Sequence, residues 1–217
     1  MSSTGRGAVR EPEDFYTSPS WTVRRLLEAW TPEFQGGVWV ECGAGNGAII
    51  RTVNAILGPQ RWHAFELREE ERPTLEAICP TTIGNFLHID QPPEWANSVT
   101  VAIGNWPYAH AFEFLRQTKK LFPNAEIVNL LRQAFTASAK RYAFMRAHVP
   151  DKFELPDRPS FDGEGGDSAD YAWMRWPRTW ERRRGALEML AQTSKVERSQ
   201  DRGHHVVVVP PQKDMFS

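Results

Sequence analysis

The chain reads as an α/β fold: one mostly parallel, seven-stranded sheet with helices on both faces. Three observations predict it. Short apolar runs alternate with stretches whose apolar residues recur at helical spacing, the rhythm of repeated strand–helix units. The first run, Val38 to Cys42, flows into Gly43-Ala44-Gly45-Asn46-Gly47, where glycines let the backbone turn tightly and approach a ligand. A later run, Val99 to Ile103, ends in Gly104-Asn105-Trp106-Pro107-Tyr108. A strand closing on Asn-x-Pro-aromatic brings together an amide oxygen, a backbone carbonyl, a stiff turn and a flat ring.

Taken in order, residues 1–13 are rich in Ser, Gly, Arg, Glu and Pro and read as a flexible tail. Helices are expected near 19–30, 45–57, 69–78, 109–121, 132–147 and 178–191. Strands are expected near 38–42, 62–66, 81–83, 99–104, 125–130, 171–176 and 205–209. The helix after the glycine loop places Ile49, Ile50, Val53, Ile56 and Leu57 at helical spacing. The strand at 62–66 ends in Glu66, about 20 residues past the loop, where an α/β site sets a carboxylate on ribose hydroxyls. A solvated acid opening a charged helix is the competing reading of Glu66. The glycine pattern is not a phosphate-binding loop of the Walker type, because no Gly-Lys-Ser/Thr follows. Residues 149–169 carry Pro, Gly and acids and read as a loop or lid. One domain is expected over residues 14–209, with a C-terminal tail at 210–217.

The Asn105–Tyr108 turn makes a socket for a planar group bearing an amine: two acceptors for its hydrogens and a face to stack on. An exocyclic amine of a nucleobase fits. An ordinary strand-to-helix turn remains the bland alternative for these residues taken alone.

In this order the motifs resemble the class I AdoMet-dependent methyltransferases, more narrowly the DNA adenine (N6-amino) methyltransferases, including small phage and prophage members. The resemblance implies a Rossmann-like fold with S-adenosyl-L-methionine as cofactor. Tyr16, Thr17 and Ser18 resemble the element that closes over the methionine end of AdoMet. Glu41, Gly43 and Gly45 belong to a stretch similar to the AdoMet glycine loop, and Glu66 matches the ribose acid. Asn85 and Phe86 resemble the element beside the cofactor's adenine, and Asn105 to Tyr108 the catalytic Asn/Asp-Pro-Pro-Tyr/Phe. Trp106 departs from that pattern, which has Pro there; Trp keeps the backbone carbonyl but changes turn stiffness and pocket shape. Ile127 to Phe135, Arg158 to Phe161 and Asp167 to Trp173 are similar to phage-methylase segments, the second of which walls the base pocket. Trp106, Tyr108, Phe161, Tyr171 and Trp173 are accordingly expected near a flipped base.

The implied reaction is direct transfer to the adenine amine of DNA after base flipping, with relaxed sequence specificity because no insertion is large enough for a recognition domain. Asn105 and the Trp106 carbonyl would accept the amine's hydrogens and Tyr108 would stack on the base. Methylation of RNA adenine or protein glutamine, or a disabled binding module, are the alternatives. Cytosine carbon-5 chemistry needs a Pro-Cys nucleophile, and the one adjacent pair, Cys79-Pro80, is reversed and elsewhere.

A net charge of −1 over 217 residues is a poor match to a strong nucleic-acid binder, although Arg24-Arg25, Lys119-Lys120, Arg132, Lys140-Arg141 and Arg182-Arg183-Arg184 are local basic clusters. Two cysteines make neither a disulfide framework nor a metal site; Cys42 reads as a space-filler, and a cytoplasmic setting in a bacterial or phage-infected cell is expected. Neither a spanning segment nor a secretory leader is apparent. At the end of the chain, Gln212, Met215 and Phe216 resemble short peptides that dock into the bacterial sliding clamp.

Overall fold

The computed structural model describes residues 17–32, 36–161, 168–179 and 185–201. Within them, one sheet carries eight strands, two more than the six the sequence predicts there. They are β1 (Val38–Cys42), β2 (Arg61–Glu66), β3 (Thr81–Ile83), β4 (Val99–Gly104), β5 (Glu126–Arg132), β6 (Asp151–Glu154), β7 (Tyr171–Trp176) and β8 (Leu187–Met189). The order across the sheet is β3-β2-β1-β4-β5-β7-β6-β8. Strands β3, β2, β1, β4 and β5 run parallel, β7 is antiparallel to both β5 and β6, and β8 is parallel to β6.

The central strands are apolar along their length because both faces are covered. Alternate residues feed two separate cores. Trp39, Val101, Ile103, Val128, Leu130, Tyr171 and Trp173 pack with helices α1 (Ser20–Ala29) and α2 (Ala48–Leu57). Val38, Val40, Cys42, Ala102, Ile127 and Met174 pack on the opposite face with helix α4 (Ala111–Leu121). The short α3 (Arg72–Glu76) follows a single 3-10 turn over Glu69–Glu71. The helix expected near 132–147 is two 3-10 turns followed by α5 (Tyr142–Ala147). Cys42 is a buried free thiol whose pKa burial pushes up, in keeping with a space-filling role.

Two expectations are corrected. The stretch 149–169 is not loop throughout: β6 lies inside it, with Asp151 and Phe153 buried. Asp151 is in the strand because Arg175 of β7 pairs with it at 3.1 Å and Ala186 donates its N–H at 2.8 Å. The helix expected over 178–191 is replaced at its C-terminal end by β8. Residues 186–190 give their backbone to β6 instead: Lys152 donates to the Ala186 carbonyl at 2.9 Å, and Leu190 to that of Glu154 at 2.9 Å. A last helix, α6 (Lys195–Asp201), packs on α1. The expected strand at 205–209, the tail at 1–13, Arg182-Arg183-Arg184 and the clamp-like Gln212, Met215 and Phe216 lie outside the described residues. No helix among the described residues is long and apolar enough to cross a membrane.

Candidate active site

A cavity of about 470 Å³ opens over the C-terminal ends of β1, β2, β3 and β4, within the size range of small-molecule sites. Its wall contains Thr17, Ser18, Glu41, Gly43, Gly45, Glu66, Asn85, Phe86, Asn105 and Pro107. Every described residue that the sequence assigned to cofactor binding therefore meets in one place; Tyr16 lies outside the described residues.

The glycine loop is pinned to the end of β2. Gly43 and Ala44 both donate to the Phe65 carbonyl, at 2.8 and 2.9 Å, and Gly45 N–H donates to Glu66 Oε2 at 2.6 Å. Glu66 Oε1 accepts from the Arg68 backbone at 3.0 Å and from its Nε at 3.2 Å. The carboxylate is thus fixed in orientation, with lone-pair capacity left for hydroxyl donors. Gly47 caps α2 at φ 76°, a left-handed conformation that favours glycine, and a Cβ there would also press on the Ile78 side chain at 2.7 Å.

Glu41 is 2% exposed, and its Oε2 has no hydrogen-bond partner among the described residues. Burial pushes its carboxyl well above the usual carboxylate range. The Ile50 backbone bond and Arg51 oppose this, while the Glu66 charge reinforces it. The cavity thus carries one fixed carboxylate and one buried acidic oxygen awaiting a donor.

Three aromatic rings complete the wall: Phe65, Phe86 and Phe114. Phe86 stacks on Phe114 at 5.4 Å and meets Phe65 edge-on at 5.2 Å. They give a flat apolar surface of the kind an adenine ring packs on.

The Asn105–Tyr108 turn follows β4 directly. The Tyr108 hydroxyl donates to Asn105 Oδ1 at 3.2 Å. Trp106 N–H points the other way and donates to Asn129 Oδ1 at 3.4 Å, both groups buried. Proline would offer no such donor, so the departure from Pro is matched by an acceptor on the neighbouring strand. The Trp106 indole is 1% exposed and belongs to the core containing α4. There it lies over Gly104, whose missing side chain leaves the room: a Cβ would fall 2.6 Å from Trp106 Nε1. The expectation that the Trp106 side chain stands near a base is corrected. Its ring supports Phe114 from behind at 5.8 Å, on the face of the sheet opposite the core that Tyr108 packs against.

Of the remaining expected base contacts, Tyr108, Phe161 and Tyr171 form a triangle of rings with centroids 5.3 to 6.5 Å apart. Tyr171 is fully buried beneath the other two. Trp173 is fully buried and its indole donates to the Thr22 carbonyl at 2.9 Å, which makes it a core residue out of reach of a ligand.

Solved structures share this fold. A 23S rRNA methyltransferase, ErmE, matches with a TM-score of 0.55 at 18% identity, over 79% of this chain and 71% of that one. The fold is that of a class I methyltransferase. A predicted O-methyltransferase from Agrobacterium tumefaciens matches at 0.54 and 16% identity, over 82% and 95% of the two chains. A Pyrococcus horikoshii protein described as an RNA methyltransferase matches at 0.53 and 14% identity, over 79% and 90%. No protein-family model and no curated protein sequence matches the chain.

On this methyltransferase fold the cavity also gathers residues the sequence did not single out: Arg68, His88, His110 and Phe114. Phe114 had a readable signal, an aromatic on the apolar stripe of the helix after the socket. The histidines had none, because their exposure beside a cavity depends on strand order. Asn129 was legible as a polar residue inside an apolar strand. Among the described residues, no group of three or more His, Cys, Asp or Glu is arranged to hold a metal ion.

Proposed function

We propose that the protein is an AdoMet-dependent methyltransferase acting on the exocyclic amine of adenine in a nucleic acid. The observation that carries this reading is that Asn105 and Pro107 of the amine socket line the same cavity as Glu41, Gly43, Gly45, Glu66, Asn85 and Phe86. The cofactor wall and the Asn105–Pro107 side of the acceptor socket share one space, and Tyr108 lies outside its lining.

The residues present fit AdoMet. Glu66 offers a fixed carboxylate to ribose hydroxyls, the phenylalanine wall suits adenine, and the unpartnered Glu41 oxygen suits an ammonium. AdoMet supplies an electrophilic sulfonium methyl when bound. The acceptor adenine must leave its stack to reach the socket. Asn105 Oδ1 and the Trp106 carbonyl accept the two amine hydrogens, holding the nitrogen lone pair toward the cofactor side. Tyr108 stacks on the base. Positioning and fixed dipoles supply the rate enhancement, with no covalent enzyme intermediate. Bound AdoMet would supply the methyl carbon and keep the displaced electron pair on its sulfur, while Asn105 Oδ1 and the Trp106 carbonyl would hold the amine until one of its protons passed to solvent.

DNA is the acceptor that the motif resemblance favours. RNA is the second reading, favoured by the 23S rRNA and RNA methyltransferases among the structural neighbours. The test presents labelled AdoMet with unmethylated DNA and RNA in parallel. Methyl incorporation into one polymer, lost in Asn105→Ala, supports the reading and selects the acceptor. Incorporation into neither, with AdoMet bound, contradicts it and points to a protein acceptor or a binding module.

A further inference from the structure

We propose that Arg132 is the second jaw of the acceptor clamp, stacking its guanidinium on the outer face of the base that Tyr108 holds. This rests on the amine-methylation reading above. Arg132 closes β5, one strand over from the β4 end that carries Asn105. Its guanidinium carbon lies 4.9 Å from the centroid of the Tyr108 ring. Its Nε donates to the Tyr171 hydroxyl at 3.2 Å. Tyr108 in turn donates to Asn105. Tyr171, Arg132, Tyr108 and Asn105 are therefore one connected unit, anchored below by a fully buried ring and open above at an exposed arginine.

The guanidinium now covers the ring face on which an acceptor would stack. A planar cation over an exposed aromatic face is a weak contact and one that an arginine stem can release. Room for a base needs the guanidinium to lift by about one layer, roughly 3.5 Å between stacked carbons. Lifting and settling on the entering ring gives up the cation–π contact and stretches the bond to the Tyr171 hydroxyl, and gains two stacked interfaces, phenol below and guanidinium above. The guanidinium lies over the Tyr108 ring, which sets a stacking role against the rival role of a phosphate contact.

The test uses the full chain with labelled AdoMet and adenine-rich single-stranded DNA and RNA oligonucleotides. Arg132→Ala is expected to raise KM for the oligonucleotide about tenfold, with kcat within about twofold and AdoMet affinity unchanged. The salt dependence of kcat/KM stays as in the parent. Arg132→Lys does not rescue, because an ammonium carries charge without a stacking plane. Arg132→Gln, whose flat amide can still stack, recovers part of the loss and serves if the alanine variant folds poorly. An unchanged KM in Arg132→Ala overturns the proposal. So does rescue by lysine together with a salt slope reduced by about one in the alanine variant, the signature of a phosphate contact. Transfer to neither polymer by the parent protein overturns the methylation reading itself, and this proposal with it.

Discussion

The Tyr108 hydroxyl donates to Asn105 Oδ1 at 3.2 Å, so the two side chains of the socket are bonded to each other before an acceptor arrives. The oxygen that must receive an amine hydrogen is held in place by one bond and keeps a second lone pair for the acceptor. Tyr108→Phe keeps the ring and frees the oxygen; kcat/KM is expected to hold or rise by up to about threefold. Tyr108→Ala removes the stacking face and is expected to cost about 1–3 kcal/mol in kcat/KM. Steady-state kinetics on the two variants checks this, and equal losses in both would assign the hydroxyl a direct catalytic part.

Trp106 and Gly104 are fitted to each other. A Cβ on Gly104 would sit 2.6 Å from Trp106 Nε1 and 2.9 Å from its Cδ1. Gly104→Ala is therefore expected to destabilise by about 1–3 kcal/mol through overpacking. Trp106→Ala empties a fully buried site and is expected to cost about 3–5 kcal/mol. In the double variant the clash has no partner, so its cost is expected to fall below the sum of the two. Denaturant unfolding of the three variants measures this coupling.

Asn129 is fully buried and accepts from Trp106 N–H, while its own Nδ2 has no partner among the described residues. Asn129→Leu leaves the Trp106 N–H unsatisfied, at an expected cost of about 1–3 kcal/mol in stability. It also loosens the turn that aims the Trp106 carbonyl, so kcat should fall more than AdoMet affinity. Calorimetric AdoMet binding alongside turnover separates the two effects.

Glu41 sets a pH dependence. Its folded carboxyl titrates well above the unfolded value because it is buried. The folded chain therefore keeps a proton that the unfolded chain has lost, and stability falls as pH rises above about 4.3, the ordinary glutamate value. Glu41→Gln removes this slope. The variant should melt close to the parent near pH 4 and above it at pH 7–8, by at least about 2 °C. It should also bind AdoMet more weakly, since the parent carboxyl can ionise against an entering ammonium and an amide cannot. Parallel melting curves in pH would refute the neutral carboxyl.

Most of the sheet was legible because the parallel strands announce themselves locally. Val38–Cys42, Thr81–Ile83 and Val99–Gly104 have the predicted bounds, as does the antiparallel Tyr171–Trp176; the glycine loop and Glu66 meet as their spacing implied, and Asn105 joins them as the family resemblance implied. What was missed depends on partners distant in sequence. Asp151–Glu154 is short and charged at three of its four positions, and it becomes a strand only because β7 and Arg175 lie beside it. Leu187–Met189 sits in a composition that favours helix, yet its backbone pairs with β6. The Trp106 indole was assigned to the wrong side because turn residues carry no alternation to fix a face; Gly104 and Asn129, both present in the sequence, decide it together.

The most direct measurement identifies the methylated nucleoside. Nucleic acid treated with the protein and labelled AdoMet is digested completely and resolved by mass spectrometry, with Asn105→Ala in parallel. Methyl on the adenine amine, absent with Asn105→Ala, is the predicted result. Methyl on ribose or on a ring carbon, or an adenine product undiminished by Asn105→Ala, would contradict an amine socket built from Asn105 and the Trp106 carbonyl.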